Sequence, residues 1–116
     1  KDFWYADSGL IPLLMVLGMM SKEGDLDHLL QPYFDKYFIS GESNYEVADY
    51  RPLFKQIEKK YHDGRIDKLD GISVEFSDWR FNLRPSNTEP LVRLNVEAKS
   101  EKLVQEKVKE LEHLIQ

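Results

Sequence analysis

The apolar positions of this chain follow two different patterns. Apolar residues are nearly continuous in an early stretch, and they alternate with polar residues farther along the chain. Residues 9–21 are apolar on almost every side of a helix, and they predict a helix that begins after an N-cap at Ser8 and ends near Gly24. A helix that is apolar all round normally buries several of its sides, and we expect the same here. A second, shorter helix begins at Asp25 or Asp27.

Downstream of these helices, apolar and polar residues alternate, which is the pattern of half-buried strands. One helix capped by Asp49 interrupts the alternation, and another from about Glu101 closes it. An Asp-Gly pair at residues 70–71 is a hairpin signal. The order predicts an α+β domain over residues 37–116, with helices on one face of a mostly antiparallel four- to five-stranded sheet. The helical segment 1–36 precedes it.

The two longest alternating stretches are joined by Arg-Pro-Ser-Asn-Thr-Glu-Pro, residues 84–90. A phosphate needs several donors that converge on its oxygens. The loop offers a guanidinium, two hydroxyls and a side-chain amide, which belong to Arg84, Ser86, Thr88 and Asn87. We expect the loop at an edge of the sheet, where a ligand can reach it. The same residue types also form ordinary turns, so composition alone leaves both a phosphate site and a plain turn open.

Length, charge and composition narrow the classes of function. A chain of 116 residues, 41% of them hydrophobic, can fold as one domain with a small appendage. Its net charge of −5 argues against nucleic acid as a partner. The apolar run Leu10–Met20 is too short to span a bilayer, so no membrane partner is expected. The absence of cysteine fits a cytoplasmic protein, and the start at Lys1 without a signal peptide indicates a piece of a longer one.

Several of these segments resemble one known family. Residues 84–98, which continue the loop with Leu-Val-Arg-Leu-Asn-Val-Glu-Ala, are similar to the signature of the C-terminal domain of the α-D-phosphohexomutases, especially the phosphomannomutase/phosphoglucomutase branch. Upstream, residues 5–9 and residues 39–44 resemble the same family in the same order. The resemblance implies that residues 1–36 are the tail of the third mutase domain and residues 37–116 the C-terminal phosphate-binding domain.

The resemblance also implies a reaction, the interconversion of hexose 1-phosphate and hexose 6-phosphate, with mannose and/or glucose as the sugar. Phosphoryl transfer would be intramolecular and pass through a bisphosphate intermediate. The family's phosphoserine and its aspartate-rich Mg²⁺ loop match nothing in this chain, so both are expected in the missing N-terminal domains. The chain alone should therefore bind a hexose phosphate without turnover, and it is assigned no catalytic residue and no metal ligand.

By resemblance, four residues contact the substrate phosphate: Arg84, Ser86, Asn87 and Thr88. Glu89 would repel a phosphate, so we expect it to pair with Arg93 or to cap a backbone group, and both residues support the site. The sequence Gly-Glu-Ser at residues 41–43 is similar to the family's sugar-reading loop. It leads into the opening strands of the C-terminal domain, however, and we do not assign it to sugar recognition.

Two other interpretations stay open at this point. A non-catalytic binding or assembly module could share the fold and use the apolar first helix as its interface. A glucosamine-type mutase would carry the same loop, because the loop reads phosphate and not the sugar. In either case the run Leu10–Met20 is a candidate surface for self-association, since the sheet that would cover it in the family lies outside this sequence.

Overall fold

A computed structural model describes residues 8–34 and 36–116. The chain divides into two compact units, residues 1–35 and residues 36–116. The first unit contains helices only among its described residues, and the second contains the sheet.

The first unit consists of α1 (Leu10–Glu23) and α2 (Leu26–Phe34). The N-cap of α1 is Gly9, which offers no side-chain hydrogen bond, so the predicted cap at Ser8 is wrong. The helix ends as predicted at Gly24, whose φ of 109° is one that residues with a side chain rarely adopt. Asp25 then begins α2, because its carboxylate accepts a hydrogen bond of 2.8 Å from the backbone N–H of His28.

The apolar surface of α1 is exposed along its whole length. None of its residues is buried, and Leu10 and Met15 are 62% and 64% exposed. We expected a helix of this composition to be buried on several sides, and within the part of the chain that the structure describes it is not. An apolar helix surface of this kind is a candidate contact for another part of a protein.

The second unit alternates short strands with two helices, and the bounds of its elements follow chain order. They are β1 (Phe38–Ile39), β2 (Ser43–Glu46), α3 (Tyr50–Lys60), β3 (Arg65–Asp67), β4 (Ile72–Glu75), β5 (Trp79–Pro85), β6 (Leu91–Ala98) and α4 (Glu101–Ile115). The strand pairs are antiparallel, in the order β1-β6-β5-β4-β3, and β2 also pairs with β6. The six described strands thus fill five positions, and the predicted α+β fold is confirmed.

One face of the sheet is the core, and its register brings apolar residues into rows. Ile72 of β4 lies opposite Leu83 of β5, which lies opposite Leu94 of β6, and all three are buried. A parallel row follows the same order with Val74, Phe81 and Val96. Helices α3 and α4 cover this face with Leu53, Ile57, Val104 and Leu111. Residues that alternate with these rows lie on the opposite, open face, which is polar.

The two covering helices are joined by a cluster of charges around Glu110 of α4. Its carboxylate accepts hydrogen bonds from Lys107 and from the hydroxyl of Tyr61, and it forms an ion pair of 2.8 Å with Lys60. Partial burial alone would raise the pKa of Glu110, but the hydrogen bonds from the two lysines and the tyrosine outweigh it and lower the pKa to about 2. The cluster therefore stabilises the contact between the end of α3 and the second half of α4.

Candidate phosphate-binding site

The loop of residues 86–90 joins β5 to β6 at one end of the sheet. β5 occupies the middle of the five strand positions and β6 the position beside it, so the expected location at a sheet edge is wrong. The loop is reachable for another reason: it projects from the ends of two strands, and Asn87, Thr88 and Glu89 are exposed. Central strands give the loop a rigid base, because both are paired on both sides.

Backbone hydrogen bonds tie both ends of the loop to the sheet. The N–H of Ser86 donates to the carbonyl of Leu91 at 2.9 Å, which closes the loop. The carbonyl of Pro90 accepts from the N–H of Val47 at 3.0 Å, which fixes the loop to the residue after β2. These bonds hold the loop's base in place and leave its tip to solvent.

The hydroxyls of the loop are only weakly engaged. Ser86 Oγ and Thr88 Oγ1 lie 3.4 Å apart, and the N–H of Thr88 lies 3.4 Å from Ser86 Oγ. Both distances are at the long end for hydrogen bonds, so an anion can take these donors at small cost. The two hydroxyl oxygens therefore lie close to each other, as the phosphate interpretation requires.

Arg84 is the last arginine of β5, and it lies opposite Arg93 of β6 on the open face. Like charges directly opposite each other on neighbouring strands are unfavourable unless something negative lies between them. Arg84 and Arg93 therefore need a negative partner, which a neighbouring carboxylate or a bound anion can supply. The pair is therefore the strongest positive feature beside the loop.

Glu42, just before β2, supplies that negative charge. Its Oε2 accepts a hydrogen bond of 2.9 Å from Arg84 Nη2, and its Oε1 lies 3.5 Å from Arg93 Nη1. Asp70 lies farther from Arg84, with 3.8 Å between its Oδ2 and Nη1. Glu42 does not satisfy Arg93 completely, because Arg93 Nε is buried and has no hydrogen-bond partner among the described residues.

The contacts of Arg93 differ from those expected from the sequence. Among residues 8–34 and 36–116, no ion pair and no side-chain hydrogen bond includes Glu89, so it neither pairs with Arg93 nor caps a backbone group. Sequence reasoning missed Glu42, which lies 42 residues before Arg84. The one local signal was Gly41, since a glycine beside a short strand often marks a bulge.

Another arginine of the open face is already neutralised. Arg80 makes two hydrogen bonds to Glu97, at 3.0 and 2.7 Å, toward the opposite end of β5 from the loop. A bidentate pair of this kind uses the same fork that an anion would use. Arg84 and Arg93 thus lie opposite each other where β5 and β6 meet the loop that carries Ser86, Asn87 and Thr88, whereas Arg80 lies at the other end of β5.

Comparisons with known proteins give this site a family. A family model described as phosphoglucomutase/phosphomannomutase, C-terminal domain, matches residues 42–114. The chain belongs to this family. Phosphomannomutases from Methanocaldococcus jannaschii and Vibrio cholerae are each 43% identical to it over 99% of its length, and one from Escherichia coli K12 is 41% identical over 87%.

A solved structure of a phosphoglucomutase/phosphomannomutase family protein from Burkholderia thailandensis is also similar, with a TM-score of 0.70, 26% identity and 98% of this chain covered. The chain covers 25% of that structure's chain and 26% of the M. jannaschii and V. cholerae relatives. It thus spans about a quarter of the length of the phosphoglucomutase/phosphomannomutase family members that it matches.

Within residues 8–34 and 36–116, no group of three or more histidine, aspartate or glutamate side chains is arranged to hold a metal ion. No described helix is both long enough and apolar enough to cross a membrane.

Proposed function

We propose that this chain is the phosphate-binding part of a phosphohexomutase that interconverts hexose 1-phosphate and hexose 6-phosphate, with mannose and/or glucose as the sugar. The observation that carries the proposal is the position of the Arg84–Arg93 pair, at the end of β5 and β6 that continues into a loop with two weakly engaged hydroxyls. Membership of the phosphoglucomutase/phosphomannomutase family supports the same substrate class.

Each residue of the site has a distinct part in this proposal. Arg84 makes the dominant contact, because its planar fork can give a phosphate two charge-assisted hydrogen bonds. The hydroxyls of Ser86 and Thr88 and the amide of Asn87 complete the set of donors around the phosphate oxygens. Arg93 adds positive charge from the neighbouring strand. Glu89 stays at the exposed rim of the loop, outside the anion's position.

A site that recognises phosphate and ignores the sugar suits a reaction that moves phosphate between two ends of a hexose. In the proposed cycle the transfer is intramolecular and passes through a bisphosphate, so the intermediate must turn around and present either phosphate to the loop. This chain's residues bind and orient the phosphate that is not being transferred. They take no part in bond making, so the chain alone binds but does not catalyse.

Mg²⁺ would supply charge neutralisation at the transferred phosphate in the complete enzyme. The described residues contain no cluster that fits such an ion, so its ligands and the phosphoserine are assigned to the rest of the protein. Residues 1–36 are proposed as the end of the preceding domain, and the exposed apolar surface of α1 fits a helix that the rest of that domain covers. A cytoplasmic location is part of the same proposal, and the cysteine-free sequence is compatible with it.

The test is an NMR titration of the chain with mannose 1-phosphate, glucose 6-phosphate and inorganic phosphate. Binding should be near millimolar, about −4 kcal/mol, because most of the substrate's contacts lie outside this chain. Chemical shift changes should be confined to residues 84–88, to Arg93 and to Glu42, the carboxylate paired with both arginines, and Arg84→Ala should abolish them. Arg65→Ala is the matched control, since Arg65 lies on edge strand β3 of the same sheet and is 79% exposed.

One observation favours a second candidate, a binding or assembly module without an enzymatic parent. The exposed apolar side chains of α1 form a surface that another protein could cover. Such a module has no reason to bind sugar phosphates, so the titration separates the two functions. Saturable binding that depends on Arg84 excludes the pure assembly module, whereas its absence at high ligand concentration favours it.

A further inference from the structure

We propose that Glu42 sets the affinity of the phosphate site, because its carboxylate occupies the guanidinium pair of Arg84 and Arg93 until a phosphate displaces it. The inference rests on the proposed function and adds a residue that acts on the phosphate through the two arginines. Glu42 is therefore a positioning residue, which competes with a phosphate for the guanidinium groups of Arg84 and Arg93.

A bulge at the edge of the sheet directs the side chain of Glu42 toward Arg84 and Arg93. Ile39 of β1 pairs with Glu97, and Ser43 of β2 pairs with Leu94, so residues 40–42 lie opposite the two residues 95 and 96. The extra residue shifts the register by one position, and such a shift exchanges the faces to which side chains point. As a result Ser43 lies opposite a core residue, and the preceding Glu42 projects over the open face, where it meets both arginines.

Two further contacts fix the bulge. The backbone N–H of Val96 donates to Ser40 Oγ at 2.9 Å, and Ser40 Oγ donates to the carbonyl of Gly41 at 2.7 Å. Gly41 has a φ of 75°, a conformation that residues with a side chain rarely adopt. The backbone that carries Glu42 thus has a defined geometry, from which its carboxylate reaches both arginines.

The charges around the site make Glu42 a competitor. Arg84 donates to Glu42 through Nη2, one of the nitrogens that a phosphate held by the guanidinium fork would use. A phosphate beside Arg84 would also lie within a few ångströms of the Glu42 carboxylate, and these two negative groups repel each other. The hydrogen bond from Arg84 to Glu42 must therefore break or weaken when the phosphate binds.

A competitor of this kind has two effects that the proposed cycle needs. It keeps the two arginines paired and oriented while no phosphate is present, which avoids their mutual repulsion. It also lowers the net affinity for phosphate, so that an intermediate can leave the loop and return with its other end. Asp70, at 3.8 Å from Arg84 and 75% exposed, should act in the same direction with a smaller effect.

The experiment measures inorganic phosphate binding to the 116-residue chain by NMR titration. Glu42→Gln should bind phosphate about fivefold more tightly than the wild type, the order expected for removing one unit charge a few ångströms away in a largely aqueous setting. Asp70→Asn should give a smaller increase. Glu106→Gln, which removes the same charge from the exposed side of α4, should leave the affinity unchanged.

A second measurement keeps the inference testable if Glu42→Gln folds poorly. In the wild-type chain, saturating phosphate should shift the side-chain carboxylate resonance of Glu42 and leave that of Glu106 in place. Equal or weaker phosphate binding by a folded Glu42→Gln variant would overturn the inference, and so would an unmoved Glu42 resonance at saturation. The absence of phosphate binding in the wild type and in Glu42→Gln alike would instead overturn the proposed function.

Discussion

Replacing Glu110 by glutamine tests whether the link between α3 and α4 is electrostatic. The carboxylate of Glu110 lies 2.8 Å from Lys107 Nζ, 2.8 Å from Lys60 Nζ and 2.9 Å from the hydroxyl of Tyr61. Glutamine has nearly the same shape but no charge. The substitution therefore removes the ionic part of the cluster while it keeps the packing and one acceptor for the tyrosine.

The size of the effect follows from the pKa of Glu110. Partial burial would raise it, but the hydrogen bonds from Lys107, Lys60 and Tyr61 together lower it from 4.5 to about 2. A shift of that size corresponds to about 3 kcal/mol for a fully shielded group. The side chain of Glu110 is 29% exposed, and screening by water and salt reduces the expected contribution to about 1–2 kcal/mol.

The direction of the pH dependence follows from the same shift. Because Glu110 has a lower pKa in the folded chain than in the unfolded chain, its ionised form stabilises the fold above pH 4.5. The contribution decreases as the pH falls below 4.5 and is lost below about 2. Glu110→Gln should therefore lower the free energy of unfolding by about 1–2 kcal/mol at pH 7 and by clearly less at about pH 3.

Urea unfolding at the two pH values, followed by circular dichroism, measures the difference. Glu106→Gln is the matched control, because Glu106 is an exposed glutamate of the same helix, and its substitution should change stability by less than about 0.5 kcal/mol. The reasoning is refuted if Glu110→Gln costs the same at both pH values. It is refuted equally if the variant costs no more than the control at neutral pH.

Two other predictions concern the hairpin beside the site and the first helix. Gly71 has a φ of 73°, and an added Cβ would collide with the carbonyl of Leu83 and come within 2.7 Å of Arg84 Cα. Gly71→Ala should therefore lower the free energy of unfolding in urea by more than about 1 kcal/mol. The same variant should weaken phosphate binding, because the clash displaces the backbone of Arg84. A variant with unchanged stability and affinity would contradict this. The exposed apolar side chains of α1 should cause concentration-dependent self-association, measured by sedimentation equilibrium, and Leu13→Glu with Leu17→Glu should abolish it. A monomeric wild-type chain at high concentration would show that this surface does not self-associate.

Local patterns were sufficient to predict most of the fold of the second unit. The alternation around Phe81 and Val96 predicts β5 and β6 because each apolar side chain occupies a row of the core. Asp49 predicts the start of α3 because its carboxylate accepts from the N–H of Arg51, a contact between residues two apart. Such features depend on neighbours along the chain, so a sequence can reveal them.

Most of the parts that were missed depend on contacts between distant residues. Glu42 meets Arg84 only because a bulge shifts the register of β2 against β6, and nothing in the local pattern fixes that shift. The expected partner of Arg93 was Glu89, which is nearer in sequence, yet β2 brings Glu42 to it instead. The cap at Ser8 failed for a local reason, since α1 begins at Leu10 and its N-cap position falls on Gly9.

The central claim is that the loop after β5 binds the phosphate of a hexose phosphate, and the titration of Arg84→Ala against Arg65→Ala tests it most directly. The account predicts that the wild type and the β3 variant bind mannose 1-phosphate, glucose 6-phosphate and inorganic phosphate with similar, near-millimolar affinity. Loss of Arg84 should cost about 1.5–3 kcal/mol of binding, enough to remove the signal. Equal binding by both variants, or shift changes spread away from residues 84–93 and their ion-pair partner Glu42, would contradict the account.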